Sequence, residues 1–231
     1  MNTLLSLLKD RRLRFIIVRL RYMLLKKRMR FLKGGSDNIG EKTIEHNLSA
    51  FDVNAGYGCG GRMGLLIYPI ISFYSFYTID KSKLKVLMVG CRTEDDIYWM
   101  RAYGFSQAIG FDLFSYSRHI LIGDIHKTDF ADGSFDVVVL GWMISYTKDP
   151  LTVIKECRRI LKKGGLLGIG LEHNPHQVGT TIQPPRVNPT NSTGDLKNIL
   201  DTAMNHKVLF EYDHFNDSAG DFSTVIVTRV G

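Results

Sequence analysis

Three short segments of this 231-residue chain carry residue types and spacings that could together hold a nucleoside. The first is Gly90-Cys91-Arg92-Thr93-Glu94, a turn after an apolar run, where a glycine lets a ligand approach the backbone. The second is Asp112, 22 residues after Gly90 at the tip of a second apolar run. A carboxylate there is placed to accept hydrogen bonds from ribose hydroxyls. The third is Asp124-Ile125, after a third run, where the carboxylate can accept an adenine amino group beside the Ile125 N–H. One acid at a strand tip is as often a solvated loop residue; all three in this order point to a nucleoside ligand.

Two further segments could face an acceptor. Gly141-Trp142-Met143-Ile144-Ser145-Tyr146 follows a fourth apolar run, and Glu172-His173 follows a fifth. A histidine titrates near working pH and could deprotonate a hydroxyl nucleophile, so His173 and Glu172 are the catalytic candidates. Tyr146 reads as packing or as a shelf for the ligand. The proline-containing stretch 174–194 is long enough to overhang such a site.

These residues need a scaffold, and the rhythm of the chain beyond residue 84 supplies one. Short apolar runs alternate with helical patterns, the signature of βαβ units in an α/β fold with a mostly parallel sheet. Strands are expected at 84–89, 107–111, 120–122, 135–140, 166–171, 208–212 and 223–228, with helices at 94–103, 151–161 and 195–204. Phe135–Leu140 is almost purely Val and so buried on both faces. In such a sheet ligands bind at the carboxyl ends of the strands beside the first one, where Gly90, Asp112 and Asp124 fall. Residues 63–77 read as a buried, aromatic-rich helix bent at Pro69. The run 56–61 matches GxGxxG but follows no buried strand, so it reads as a loop of special backbone geometry.

The net charge of +7 is unevenly placed. Residues 1–33 hold eleven Lys/Arg and one acid, Asp10, while the rest of the chain holds 19 bases and 22 acids. The organisation expected is therefore a basic amphipathic helical arm (1–33), a linker and lead-in helix (34–81), and an α/β domain (82–231). Phe15, Val18, Tyr22, Leu25, Met29 and Leu32 fall on one stripe, widened by Leu13, Ile17, Leu20 and Leu24. The charge-free runs are far too short for a membrane span. The stripe could pack on the protein's own core or on a second subunit, or lie on an anionic membrane surface; nucleic-acid contact and an organellar presequence fit less well. Because the site is built beyond residue 84, the arm is expected to be removable without loss of cofactor affinity. Three cysteines without ligand spacing suggest neither a disulfide framework nor a metal site, and a cytoplasmic setting, peripheral at the inner membrane face if the arm docks there.

The sequence resembles the class I S-adenosylmethionine-dependent methyltransferases over residues 82–231. The likeness rests on Val86-Leu87-Met88-Val89-Gly90-Cys91, Gly110-Phe111-Asp112, Gly123-Asp124-Ile125, the stretch Phe130 to Val138, and Arg159 to Gly165. It implies a Rossmann-like seven-stranded sheet with an antiparallel last strand. It also implies S-adenosyl-L-methionine as cofactor, held by Gly90, Cys91, Arg92, Glu94, Asp112, Asp124, Ile125 and Gly141. The activity implied is methyl transfer to a small-molecule, glycan or lipid-linked acceptor; a non-catalytic binding protein or an RNA methyltransferase using the arm are the alternatives. Arg92 and Glu94 stand where the family has glycines and Met88 where it has an acid. A charge-reversed arrangement, with Arg92 on the cofactor's carboxylate and Glu94 on its ammonium, would answer the change.

Overall fold

The computed structural model describes residues 3–32, 61–147, 149–173, 190, 192–216 and 221–231. The GxGxxG-like run up to Gly60 and most of the stretch 174–194 lie outside the described residues. Seven strands form one sheet: β1 (Lys85–Val89), β2 (Gln107–Asp112), β3 (Ile120–Ile122), β4 (Phe135–Leu140), β5 (Leu161–His173), β6 (His206–Asn216) and β7 (Asp221–Val230). Their order is β3-β2-β1-β4-β5-β7-β6. The first five are mutually parallel, and β7 is inserted antiparallel between β5 and β6. This is the Rossmann-like, mostly parallel sheet with an antiparallel last strand that the sequence implied.

Among the described residues, the helices of two turns or more that cover it are α1 (Arg11–Leu25), α2 (Gly64–Phe76), α3 (Asp95–Ala102), α4 (Pro150–Ile160) and α5 (Thr193–Ala203). Side chains alternate across a strand, so β1 and β4 each divide their apolar residues between two layers. Val86, Met88, Val137 and Val139 pack with Leu66, Ile67 and Ile70 of α2 and with Ile97 and Met100 of α3. Leu87, Val89, Val138 and Leu140 pack on the other side with Val153, Ile154 and Ile160 of α4 and Leu196 and Leu200 of α5. Each such fully buried aliphatic contributes on the order of 1.5–3 kcal/mol. A sheet covered on both faces leaves its strand ends as the place where polar groups meet solvent.

The arm differs from a single straight helix. A helical turn, Thr3–Ser6, and a 3₁₀ turn, Leu7–Lys9, precede α1, whose start is fixed by Asp10 accepting a hydrogen bond from the Leu13 N–H at 2.9 Å. After α1 the chain makes another 3₁₀ turn, and Arg30–Phe31 pairs antiparallel with Phe114–Ser115. Tyr22, Leu25 and Met29 pack on the α2/α3 core layer, and Val18 meets Tyr98 and Ala102 of α3.

A polar network ties α4 to the turn before β4. Glu156 accepts from the Thr128 N–H and hydroxyl at 2.8 and 2.6 Å, and Arg159 binds Glu156, the Phe130 carbonyl and Asp132. The Arg159 hydrogen bonds, followed by those from Thr128, hold the Glu156 carboxyl at about 2, below its ordinary 4.5. A carboxyl lowered on folding stabilises above its unfolded pKa and loses that contribution as the pH falls toward the folded one. Urea midpoints should therefore drop more steeply between pH 4.5 and 2 in the wild type than in Glu156→Gln; parallel pH profiles would remove Glu156 from acid stability.

Candidate functional site

The carboxyl ends of β1, β2 and β4 and the turn after β3 surround a cleft of about 630 Å³ of empty space, part of it open to solvent. Its lining includes Gly90, Arg92, Asp112, Asp124, Ile125 and Gly141, six of the residues the sequence singled out. Val89, Phe111, His126, Trp142, Met143, Tyr146 and Thr147 complete much of the wall.

The turn after β1 is shaped by close approach. Gly90 has φ +69°, and a Cβ there would lie 2.9 Å from the Met143 Cβ. Three residues that are not glycine also sit in the left-handed region among the described residues, Thr78 (φ +52°), Arg92 (φ +52°) and Trp142 (φ +55°), and the last two line the cleft. Backbone strain of this kind is held by surrounding bonds and gathers at ligand sites. The holding bonds are visible. Arg92 N–H donates to Asp112 Oδ2 at 2.9 Å, and Glu94 N–H donates to the Tyr116 hydroxyl at 3.3 Å.

Asp112 is nearly buried. Burial pushes its carboxyl up from the ordinary carboxylate range, and the N–H groups of Arg92 and Leu113 pull it back down. The carboxylate offers about four lone-pair sites, so even with the N–H groups of Arg92, Leu113 and Phe114 on it, it retains capacity to accept from a hydroxyl. On the far side, Asp124 Oδ1 accepts from the His126 N–H at 2.9 Å and meets His126 Nδ1 at 2.6 Å; His126 Nε2 in turn bonds the Thr147 hydroxyl. His126 and Thr147 were not legible as site residues, because their link joins two loops 21 residues apart.

Glu94 and Cys91 take other roles than expected. Neither lines the cleft. Cys91 is buried, its sulfur packed so close to Gly110 that a Cβ on that glycine would lie 2.6 Å away. Glu94 is fully buried, and Arg21 of α1 grips both its oxygens, Nε at 2.7 Å and Nη2 at 2.8 Å, while the Ser117 hydroxyl also donates to it. The proposed pairing of Glu94 with a cofactor ammonium is therefore corrected: its carboxylate is committed to the arm. One residue on, Asp95 binds Arg14 at 2.7 Å, with both side chains buried and the guanidinium stacked 4.3 Å from the Trp99 ring centroid. Burial and the Asp95 charge push the next carboxyl, Asp96, upward, against the opposing pull of Arg14, Arg62 and Arg92.

Glu172 and His173 end β5 opposite Ser223 and Phe222 of β7. Leu140, the last residue of β4, is level with Ile169, so the two candidates extend beyond that level at the carboxyl end of β5. Their side chains lie outside the described residues.

A strained glycine turn, a nearly buried acid at the β2 tip and a second acid after β3, on a sheet of this order, form an arrangement similar to the nucleoside site of the class I S-adenosylmethionine-dependent methyltransferases. Residues 87–169 match the family model described as a methyltransferase domain. Short local matches include an arsenite methyltransferase of Aquipseudomonas alcaligenes, 44% identical over 50 residues (22% of this chain and 14% of the relative). Another is a demethylmenaquinone methyltransferase of Bacillus velezensis, 46% identical over 46 residues (20% of each chain). The chain thus spans a fifth or less of the length of these curated relatives. Among solved structures, the PH0226 protein of Pyrococcus horikoshii aligns with a TM-score of 0.55 at 18% identity, covering 74% of this chain and 90% of that one. A SAM-dependent methyltransferase of Thermotoga maritima aligns with a TM-score of 0.51 at 18% identity, covering 80% and 99%. At such identities these structures speak to the fold.

The cleft's own features suit the cofactor of that class. A Cβ would fill the cradle at Gly90, Asp112 has acceptor capacity left, and the buried Trp142 Nε1–H, in the cleft wall, has no partner among the described residues.

The arm is joined to the α/β domain at the turn after β1, since Arg21 and Arg14 bind Glu94 and Asp95. Removing Arg21 leaves Glu94 buried without its cation. The cost should be about 2–4 kcal/mol, at the lower end for a buried pair because the Arg21 side chain is 35% exposed. In a double-mutant cycle by urea unfolding, Arg21→Ala should destabilise strongly, and adding Glu94→Gln should recover part of the loss. Strictly additive effects would show that the pair carries no coupling.

Proposed function

We propose that the chain binds S-adenosylmethionine in this cleft and transfers its methyl group to a small-molecule, glycan or lipid-linked acceptor. The observation that carries the reading is the convergence of Gly90, Asp112 and Asp124 on one cleft at the β1–β2–β3 strand ends. The cofactor, once bound, supplies a methyl group made electrophilic by its sulfonium. Asp112 holds the ribose by accepting from its hydroxyls, and Asp124, its rotamer fixed by His126, receives the adenine amino group beside the Ile125 N–H. Arg92 lies in the cleft wall where a carboxylate of the ligand needs a cation. The acceptor enters over the ends of β4 and β5, between Gly141 and the Glu172-His173 tip, and His173 is the residue proposed to take a proton from a hydroxyl nucleophile.

A second reading, a non-catalytic binding protein, is favoured by Arg92, whose side chain occupies the part of the turn that a glycine would leave open. The two readings part in one assay: the non-catalytic protein binds S-adenosylhomocysteine but consumes no S-adenosylmethionine with any acceptor.

Calorimetry tests the site itself. Asp112→Ala should weaken S-adenosylhomocysteine binding by about 1.5–3 kcal/mol, roughly 10- to 150-fold. An unchanged dissociation constant in a folded variant would place the ribose elsewhere, and no binding by wild type at millimolar ligand would end the proposal. Asp124→Ala should bind the adenine nucleoside and its analogue without the exocyclic amino group alike, whereas wild type should prefer the former. Retained preference in the variant would contradict the adenine assignment.

A further inference from the structure

Helix α1 is apolar on two opposite sides, and the body uses one of them. Val18, Tyr22 and Leu25 pack inward, on the same side as the ion-paired Arg14 and Arg21. At roughly 100° per residue, Ile16, Leu20, Met23 and Leu24 fall within an arc about 100° wide, centred opposite Val18. These four side chains are 52, 50, 48 and 79% exposed. Arg12 and Arg19 border the arc, and Lys26, Lys27 and Arg28 follow at its end, all exposed. Asp10, the one acid of this segment, is engaged in capping the helix.

The arrangement discriminates between occupants. A two-fold dimer through this face would bring the same patch of each copy together, setting the Arg and Lys rim against itself. A nucleic acid would want its cations at the centre of the contact, against phosphates; here the centre is aliphatic and the cations form the rim. An anionic lipid surface matches both parts, taking aliphatic side chains into the acyl boundary and bases at headgroup level.

We infer that α1 seats the protein on an anionic membrane surface through Ile16, Leu20, Met23 and Leu24, with Arg12, Arg19 and the Lys26–Arg28 turn at the headgroups. The face that inserts is not the Phe15–Leu32 stripe on which the sequence pattern centres, because much of that stripe is docked on the body. The inference stands independently of the methyl-transfer reading, since it uses no residue of the cleft. The helix that would rest on lipid is also the helix whose arginines hold the cofactor turn, so the cleft would lie at a fixed place relative to the membrane.

The test is co-sedimentation of the full-length protein with vesicles of phosphatidylcholine alone and of phosphatidylcholine with phosphatidylglycerol. Binding should be at least about tenfold stronger to the anionic vesicles and should fall as salt is raised. Leu20→Glu/Leu24→Glu should lose it while melting temperature and S-adenosylhomocysteine affinity stay at wild-type values. Arg12→Gln/Arg19→Gln should weaken it by roughly 30-fold with the same two readouts unchanged. Three results would overturn the inference. Wild-type protein that ignores both vesicles is one, and a dimer dissociated by Leu20→Glu without vesicle binding is another. The third is single-stranded RNA binding that the two glutamates leave intact.

Discussion

A carboxylate withdrawn from water needs a cation at hydrogen-bonding distance, and the Glu94 carboxylate has one in Arg21. The architecture of the turn after β1 follows from that pair. Glu94 ends the turn after β1 and stands at the N-cap position of α3, where its side chain makes no capping bond and is held by Arg21 and Ser117 instead. Arg21 holds Glu94 from one side, Ser117 and Tyr116 from another, while Asp112 holds the Arg92 N–H across the cleft. These bonds keep Arg92 at a positive φ that an L-residue otherwise avoids. A turn of glycines would need no such support. Here side chains replace glycines, and an added helix braces the result.

The same constraint explains the uneven charge. Part of the basic excess of the arm is structural: Arg14 and Arg21 neutralise the acids at the start of α3, and Arg14 is itself buried against Trp99. The remaining cations of α1 and the turn after it face outward. One helix thus divides its charge between holding the site together and dressing an exposed aliphatic face. Within the cleft, Asp112 lies in an environment that disfavours its charge and is offset by backbone N–H groups, a balance that donor hydroxyls of a ligand would shift toward the carboxylate.

Short, almost purely aliphatic runs were the most legible part of the fold, and Phe135–Leu140 among them is buried on both faces. Ile120–Ile122 and Phe135–Leu140 have the bounds that their apolar runs mark. The long β5 was read short because Lys162-Lys163-Gly164-Gly165 looks like a helix stop followed by a turn. In the structure the chain stays in the sheet, with a register shift opposite Phe135–Val137 and Gly164 at φ +76°. The tip acids Asp112 and Asp124 were legible because a strand period predicts where a strand ends. The partners of Glu94 and Asp95 were not, since they lie 73 and 81 residues away on a segment whose pattern suggested an independent helix. Asp10 was a readable signal for the break in the arm: a capping residue followed by a new helical pattern.

The central claim is that one cleft binds the cofactor and that its turn is held by the arm. Hydrogen–deuterium exchange on the full chain, with and without S-adenosylhomocysteine, addresses both halves at once. The account predicts added protection at residues 90–95, at 112–113 and 124–126, and in α1 through its grip on Glu94, with the edge strand β6 unchanged. Protection confined to other segments, or protection of the turn with no response in α1, would contradict it.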